Sequence, residues 1–316
     1  MKILILGGTG FLGKNLVEYL LKKHYDIRLY VRHVRPTAVQ QKFIYEKKNL
    51  LDIKIGDFQR ECDFASLVRG CDVVYHLISS TIPGVINPLL DIETTIKPSL
   101  RLLEACVKEK VSRFVFFSSG GTVYGIPKRL PIYEDDVGQP ISAYGIQKQT
   151  LERYCQFYQY CYGLPITILR IANPYGRFQR PFSQQGLIAN ILGRCMTHTP
   201  VEIWGDGQVI RDYIYVDDVI DAAERVLHYH GPYNVFNIGS GHGESINYIV
   251  DLVNRLTDSD LLVNRYPGRK VDVSSNILDI TRACQELNWH PNISLDDGIK
   301  RMLSYWNEEN KTFEGR

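Results

Sequence analysis

The stretch KILILGGTGFLGKNLVEYLLKKH, from Lys2 to His24, constrains the fold more tightly than any other part of the chain. A short apolar run leads straight into a glycine trio, Gly7, Gly10 and Gly13. The trio leads into a segment with apolar positions at Leu16, Val17, Tyr19 and Leu20. The run reads as a buried strand and the segment after it as an amphipathic helix. In a strand–turn–helix setting the three glycines do different work. The first permits a tight turn, the second lets the backbone approach a diphosphate, and the third lets the helix lie close to the strand. The helix N-terminus, with its unpaired N–H groups, favours negative charge. The segment therefore predicts a dinucleotide-binding turn contacted through Gly7, Gly10, Phe11, Leu12 and Gly13.

The rest of the first half agrees with that start. DIRLYV, NLLDIKIGD, CDVVYHLIS, RFVFFSS and PITILRIA read as further strands, separated by helical patterns such as IKPSLRLLEACVKEK. Strands alternating with helices predict a parallel sheet covered on both faces, a doubly wound α/β fold whose ligands sit at the carboxyl ends of the strands. Pro98 falls inside a helical pattern and predicts a kink or a late helix start there. After about residue 175 the pattern loosens, beginning with NPYGRFQRPFSQQG. Residues 1–175 are expected to form the dinucleotide-binding domain and 176–316 mainly a smaller, mixed α/β substrate-binding region. Within the latter, about 208–240 is expected to return to the first domain, because DYIYVDDVIDAAERVL and YNVFNIGSG can supply a helix and a strand.

Composition closes off other classes. A net charge of +2 gives no field for nucleic acid or a membrane surface. No stretch approaches the roughly 20 apolar residues of a membrane span. The opening run is broken by four glycines, so it reads as strand and turn rather than as a signal peptide. The seven cysteines are odd in number and show no C-x-x-C spacing, which argues against a disulfide framework or a zinc site and for a reducing cytoplasm.

The end of the second strand bears on which dinucleotide binds. An acidic residue there would hold the adenosine ribose hydroxyls, and arginine suits a 2′-phosphate. The sequence reads IRLYVRHVR, with Val31 where the acid would stand, followed by Arg32, His33 and Arg35. This favours NADP over NAD, with a basic surface loop as the alternative. Asp57 and Phe58, after the third strand, are placed for the adenine.

SAYGIQK puts Tyr144 and Lys148 four residues apart, on one face of a helix. An ammonium near a phenol lowers its pKa from about 10. The pair can then move a proton at a sugar hydroxyl while hydride moves to a nicotinamide. In a chain with 20 tyrosines this spacing alone says little; its combination with the N-terminal turn decides. Tyr154, Tyr158 and Tyr162 continue the helix as core or interface residues.

With VVYHLIS, FFSSGGTVYG, LRIANPYG, IWGDGQVIRDYIYVDD and NIGSG added, the chain resembles the extended short-chain dehydrogenase/reductase family over nearly its whole length. Within it, the nucleotide-sugar epimerase/dehydratase group, of UDP-hexose 4-epimerase type, is the most similar. The resemblance implies a Rossmann domain and a small C-terminal domain that grips a nucleoside diphosphate. It implies oxidation of a sugar, usually at C4, followed by return of hydride, elimination of water, or, in other members, reduction of a ketosugar. It gives Tyr144 the role of base and Lys148 that of its partner at the nicotinamide ribose. It places Leu77 at the cofactor, Ser79 at the substrate, and Asn173 at the diphosphate or sugar. Arg211 falls at the diphosphate, and Arg269, followed by Asp272, near the diphosphate and nucleoside; guanidinium forks suit phosphate oxygens. For Arg211 the alternative is an ion pair with Asp212, Asp217 or Asp218. Val201 to Trp204 fall where the nucleobase is held.

Three departures qualify the resemblance. The family's usual hydroxyl residue before Thr-Val-Tyr-Gly is Gly120. The acidic pair that serves elimination is replaced by Gly121 and Thr122, which argues against dehydration. An asparagine in the helix before the fifth strand is replaced by Thr95. In addition, the position seven after Arg269, which limits sugar size when it is tyrosine, is Asn276, a smaller residue expected to leave room for an N-acetyl group. Thr122, then Ser119, then a water above Gly120, are the candidates for the missing hydroxyl. The implied function is a C4 epimerase of nucleotide-diphosphate sugars. The alternatives are an NADPH-dependent 4-ketoreductase, for example of a dTDP-4-keto-6-deoxyhexose, and a non-catalytic nucleotide sensor, against which Tyr144 and Lys148 argue. A homodimer through the Tyr144 helix, in surface-polysaccharide precursor synthesis, is what the family leads one to expect.

Overall fold

Seven parallel strands form the centre of the molecule. The structure is a computed structural model that describes residues 1–33, 48–79, 87–183, 185–268 and 273–314. The first half runs β1 (Lys2–Leu6), α1 (Phe11–Lys22), β2 (Asp26–Val31), β3 (Leu51–Ile55), α2 (Phe64–Val68) and β4 (Val73–His76). It continues through α3 (Pro88–Asp91), α4 (Lys97–Lys108), β5 (Arg113–Ser119), α5 (Ala143–Tyr162) and β6 (Ile166–Ile171). All six strands read from the sequence are present. Successive residues of each strand feed opposite faces of the sheet. Ile3 and Ile5 join one core, with Tyr75, Val115 and Phe117. Leu4 and Leu6 join the other, with Val74, Phe114 and Phe116. Near-continuous apolar strands are what a sheet covered on both faces requires.

The sheet order is completed by β10 (Val235–Ile238), which lies beside β6 to give β10-β6-β5-β4-β1-β2-β3. The strand order reverses between β1 and β4, which opens the ligand crevice of a doubly wound Rossmann sheet at their carboxyl ends. A later helix, α7 (Val216–Arg225), packs across α1, where Tyr19 Oη donates to Asp221 Oδ1 at 3.5 Å. Ahead of Pro98 the helix is wound as a π turn, Ile92–Ile96, so Pro98 sits in the first turn of α4. There its missing N–H interrupts no regular helical ladder.

The remaining elements build a smaller α/β layer over the crevice. They are β7 (Asn173–Tyr175), α6 (Leu187–Thr197), β8 (Val201–Trp204), β9 (Ile210–Tyr215), β11 (Gly243–Ser245), α8 (Ile246–Thr257), β12 (Val263–Tyr266), β13 (Ser275–Asn276), α9 (Thr281–Glu286) and α10 (Leu295–Glu314). Strand β9 is the hub: β7 and β13 pair with it in parallel and β11 antiparallel. Strand β7 follows β6 after one residue, and β13, paired with β9, reaches the end of β5 through the bond from Asn276 Nδ2 to the Gly120 carbonyl.

Candidate active site

The turn after β1 is built as its glycines require. Gly7 has φ +91°, and a Cβ there would stand 3.1 Å from the Leu77 carbonyl carbon. A Cβ on Gly13 would lie 2.2 Å from the Gly7 carbonyl oxygen, so only glycine lets α1 sit this close. Gly10 caps α1 without a side-chain acceptor, and the helix has no acid in its first turn. The first N–H groups, at Phe11 and Leu12, are thus left for an anion. A dinucleotide diphosphate fits this cradle. Leu77 lies against it, its N–H bonded to the Leu6 carbonyl at 3.0 Å. At the end of β2, Val31 is buried while Arg32 and His33 are exposed; Arg35 lies outside the described residues. Asp57 is half-buried, its Oδ1 accepting from Gln59 N at 3.1 Å. The expectation for Phe58 needs correction. Its ring is 3% exposed and packs in the core on Phe64 and His76, so only its backbone can face an adenine.

Helix α5 starts at a serine cap, where Ser142 Oγ accepts from Gly145 N at 3.1 Å. This sets Tyr144 and Lys148 on one face, with Lys148 Nζ 5.7 Å from the Tyr144 ring centre. The ammonium donates to the Phe117 carbonyl at 2.9 Å, which ties α5 to the end of β5. Burial lowers the Lys148 pKa to about 8, opposed by the charge of Glu152. Burial raises the Tyr144 phenol to about 12. The ring is half-buried and desolvation alone is the cause, so the ammonium does not bring the phenol down here.

The loop after β5 packs against the start of this helix. Ser119 is half-buried, its carbonyl accepting from Val123 N at 3.2 Å. The Thr122 carbonyl packs against Gly145, 2.7 Å from where a Cβ would be. Thr122 Oγ1 is shielded and has no hydrogen-bond partner. Asn173 Oδ1 lies 3.8 Å from a Cβ built on Gly121, and Asn173 Nδ2 donates to the Asp212 carbonyl at 3.0 Å. Arg211 Nη1 donates to the carbonyls of Ile210 and Val273 at 2.9 and 2.6 Å. The acids beside it are engaged elsewhere. Asp212 accepts from the Ser240, Gly241 and Leu278 N–H groups, Asp217 pairs with Arg177 and Arg301, and Asp218 accepts from Ile293 N.

A model of the NAD dependent epimerase/dehydratase family matches residues 3–239. The chain belongs to this family. It is an enzyme of the extended short-chain dehydrogenase/reductase type. Its fold superposes on a UDP-glucose 4-epimerase of Thermotoga maritima, solved with UDP-glucose, with TM-score 0.88 and 33% identity over 98% of this chain and 99% of that one. The UDP-glucose 4-epimerase of Thermus thermophilus, solved with NAD, gives TM-score 0.86 and 27% identity over 97% and 99%. A dTDP-4-dehydro-6-deoxyglucose reductase of Escherichia coli is 29% identical over 308 residues, 95% of this chain and 96% of the relative. No described helix is long and apolar enough to cross a membrane.

In this epimerase/dehydratase chain some expected residues sit elsewhere than the sequence suggested. Val201 is 2% exposed and its side chain belongs to the core, so only its backbone can face a nucleobase. Trp204, at the outer end of the same strand, is 37% exposed and stacks on Tyr266 with ring centres 5.5 Å apart. Asn276 points away from open space. That side chain is 1% exposed, and its Nδ2 donates to the Gly120 carbonyl at 3.1 Å. Arg269 and Asp272 lie outside the described residues. Ser79 Oγ donates to Gln147 Oε1 at 3.3 Å, which joins the loop after β4 to the tyrosine helix.

Sequence reasoning missed a buried polar network behind the site. Arg170 on β6 pairs with Glu152 at 2.7 Å and donates to Tyr124 Oη at 2.8 Å. Tyr124 donates to Asn237 Oδ1 at 2.6 Å, and Ser118 donates to Glu152. The signal was available: an arginine inside ITILRI, an asparagine inside VFNI, and Glu152 as the next step of the 144/148 stripe. A buried ion pair satisfied at each end fixes α5 against β5 and β6.

Proposed function

We propose that the protein is a nucleotide-diphosphate-sugar epimerase acting at C4 through a transient 4-keto sugar and reversible hydride transfer to a bound nicotinamide. The observation that carries this reading is Tyr144 beside Lys148 on a helix whose start packs against the loop after β5, where Thr122 Oγ1 is unpaired. The turn at Gly7, Gly10, Phe11, Leu12 and Gly13, with Leu77, holds the dinucleotide. That cofactor supplies the hydride acceptor and, when oxidised, a positive charge that favours the Tyr144 phenolate. Tyr144 moves the proton at the sugar O4. Thr122, with Ser119 second, hydrogen-bonds the same oxygen. Lys148 holds the phenolate and the nicotinamide ribose. Asn173 takes the diphosphate or sugar, Arg211 the diphosphate, Arg269 with Asp272 the region of the diphosphate and nucleoside, Trp204 the base, and Ser79 lies towards the sugar. Domain roles follow the chain, with 1–175 and part of 208–240 for the dinucleotide and 176–316 mainly for the nucleotide sugar.

The second reading is an NADPH-dependent 4-ketoreductase. The exposed Arg32 and His33 at the end of β2, with no acid at Val31, favour it. Incubation with UDP-glucose, UDP-GlcNAc and a dTDP-4-keto-6-deoxyhexose, with and without NADPH, separates the two. Epimer formation without added cofactor is the expected result. Stoichiometric NADPH consumption with no epimer formed overturns it in favour of the reductase. The exposed Ile146, Phe157 and Tyr160 on α5 support a homodimer through that helix. A cytoplasmic role in polysaccharide precursor synthesis fits the same reading.

A further inference from the structure

The glycine at position 120 has a cause far away in the chain. A Cβ built on Gly120 lies 2.5 Å from Leu278 Cδ1, 3.1 Å from the Arg170 carbonyl oxygen and 3.3 Å from that of Ile171. A hydroxyl-bearing side chain at 120 has no space while Leu278 stands where it does. Leu278 is held in place. Its N–H donates to Asp212 Oδ2 at 3.3 Å, and on either side Ile132 N bonds the Ile277 carbonyl and Asp279 N the Ile132 carbonyl, both at 2.8 Å. The same segment fixes the Gly120 peptide. Gly120 N–H bonds the Ile171 carbonyl at 2.8 Å, and Asn276 Nδ2 bonds the Gly120 carbonyl at 3.1 Å. Asn276 keeps this bond although its Oδ1 is buried without a partner, a condition that disfavours an amide unless its donor is needed.

We infer that Asn276 and Leu278 are positioning residues that brace the reaction loop, moving its hydroxyl-bearing position from 120 to 122. Leu278 fills the volume of the missing side chain, and Asn276 fixes the direction of the Gly120 peptide. Two residues on, Thr122 is presented at the start of the tyrosine helix with its hydroxyl unpaired. The kinetic part of this inference rests on the proposed epimerase reading; the packing part does not.

Two measurements test it. The first is a double-mutant cycle in melting temperature with Gly120→Ser and Leu278→Ala, which needs no substrate. Each single variant is expected to melt below the parent, and the double variant above the sum of the two losses, because the serine enters the space that the leucine leaves. A Gly120→Ser protein that melts like the parent, or strictly additive losses, overturns the packing claim. The second is steady-state kinetics on the sugar that the parent turns over among UDP-glucose, UDP-GlcNAc and a dTDP-4-keto-6-deoxyhexose. Asn276→Leu is expected to lower kcat about tenfold or more with KM changed less than about threefold, as for a small misplacement of a reacting group. Gly120→Ser with Leu278→Ala is expected to restore turnover to Thr122→Val. An Asn276→Leu enzyme with unchanged kcat, or a Thr122→Val defect untouched by the added serine, overturns the positioning claim. If the parent turns over none of the three sugars, the epimerase reading falls, and the melting cycle still decides the brace.

Discussion

The turn after β1 and the loop after β5 face the same crevice, and each contains a glycine with no room for a side chain. They differ in what stands in the way. At Gly13 the obstruction is the Gly7 carbonyl, backbone of the same short turn. At Gly120 it is the tip of Leu278, in the segment whose Asn276 bonds Gly120 across 156 residues of sequence. Backbone cannot yield, and a leucine methyl can at some cost. The first turn is therefore fixed by nearby backbone, its own and that of Leu77 and Ile78 just after β4. The second is a composite whose shape is decided by the C-terminal layer.

That contrast can be broken by experiment. The largest expected effect is in the reaction loop's partner: Tyr144→Phe should cut turnover by about 10²–10⁴, the usual weight of a positioned acid/base, with dinucleotide binding intact. Retained turnover in a stopped assay of epimer formation would remove the phenol from the chemistry. Gly13→Ala should do the reverse. It should lose about 3 kcal/mol or more of stability in urea titrations and lose dinucleotide binding, since the overlap is with backbone. If Gly13→Ala binds dinucleotide as the parent does, the turn is less rigid than its geometry states.

A smaller effect separates the two regions by pH. Residues 7–13 include no titratable side chain, whereas Lys148 is buried with its pKa lowered to about 8 from 10.5. Below about pH 8 folded and unfolded chains both carry this charge, and folding bears the whole cost of burying it. As pH rises from about 8 to 10.5 the folded chain releases its proton first, so stability increases relative to a chain without the lysine. The stability of Lys148→Met minus that of the parent should fall across this window, by on the order of a few kcal/mol. A difference independent of pH would mean that the ammonium is better solvated than its surroundings indicate. The smallest effect is at Gly121, where a Cβ meets only Asn173 Oδ1 at 3.8 Å. Gly121→Ala should shift stability by less than about 0.5 kcal/mol, and a larger loss in thermal melts would show the loop to be tighter than Gly120 alone requires.

Features that arise within a few residues were legible in the sequence. The glycine turn, the six strands, the Tyr144–Lys148 stripe and the irregular helix around Pro98 are all of this kind. Features that arise from packing between distant segments were not. Nothing near Gly120 names Leu278, and nothing near Asn276 says that its amide faces a backbone carbonyl rather than a sugar. Val201 is an intermediate case. Period-two alternation in VEIW puts Val201 and Ile203 on one face and Trp204 on the other, so its burial followed from the strand once the strand was recognised. Arg170 and Asn237 were visible as polar residues inside apolar strands, but their partners come from α5 and from the loop after β5.

The carboxylate of Asp212, which gathers the Ser240, Gly241 and Leu278 N–H groups, also has a meaning for the order in which the enzyme is made. During synthesis the dinucleotide turn has all of its own parts once β4 and Leu77 have followed α1 out of the ribosome. The reaction loop and its tyrosine emerge long before their ceiling does, and the loop acquires its final shape only when Leu278 reaches the carboxylate waiting on β9. A growing chain can thus carry a finished cofactor cradle next to an unfinished reaction centre. The loop's final packing waits on a segment 156 residues further along the chain.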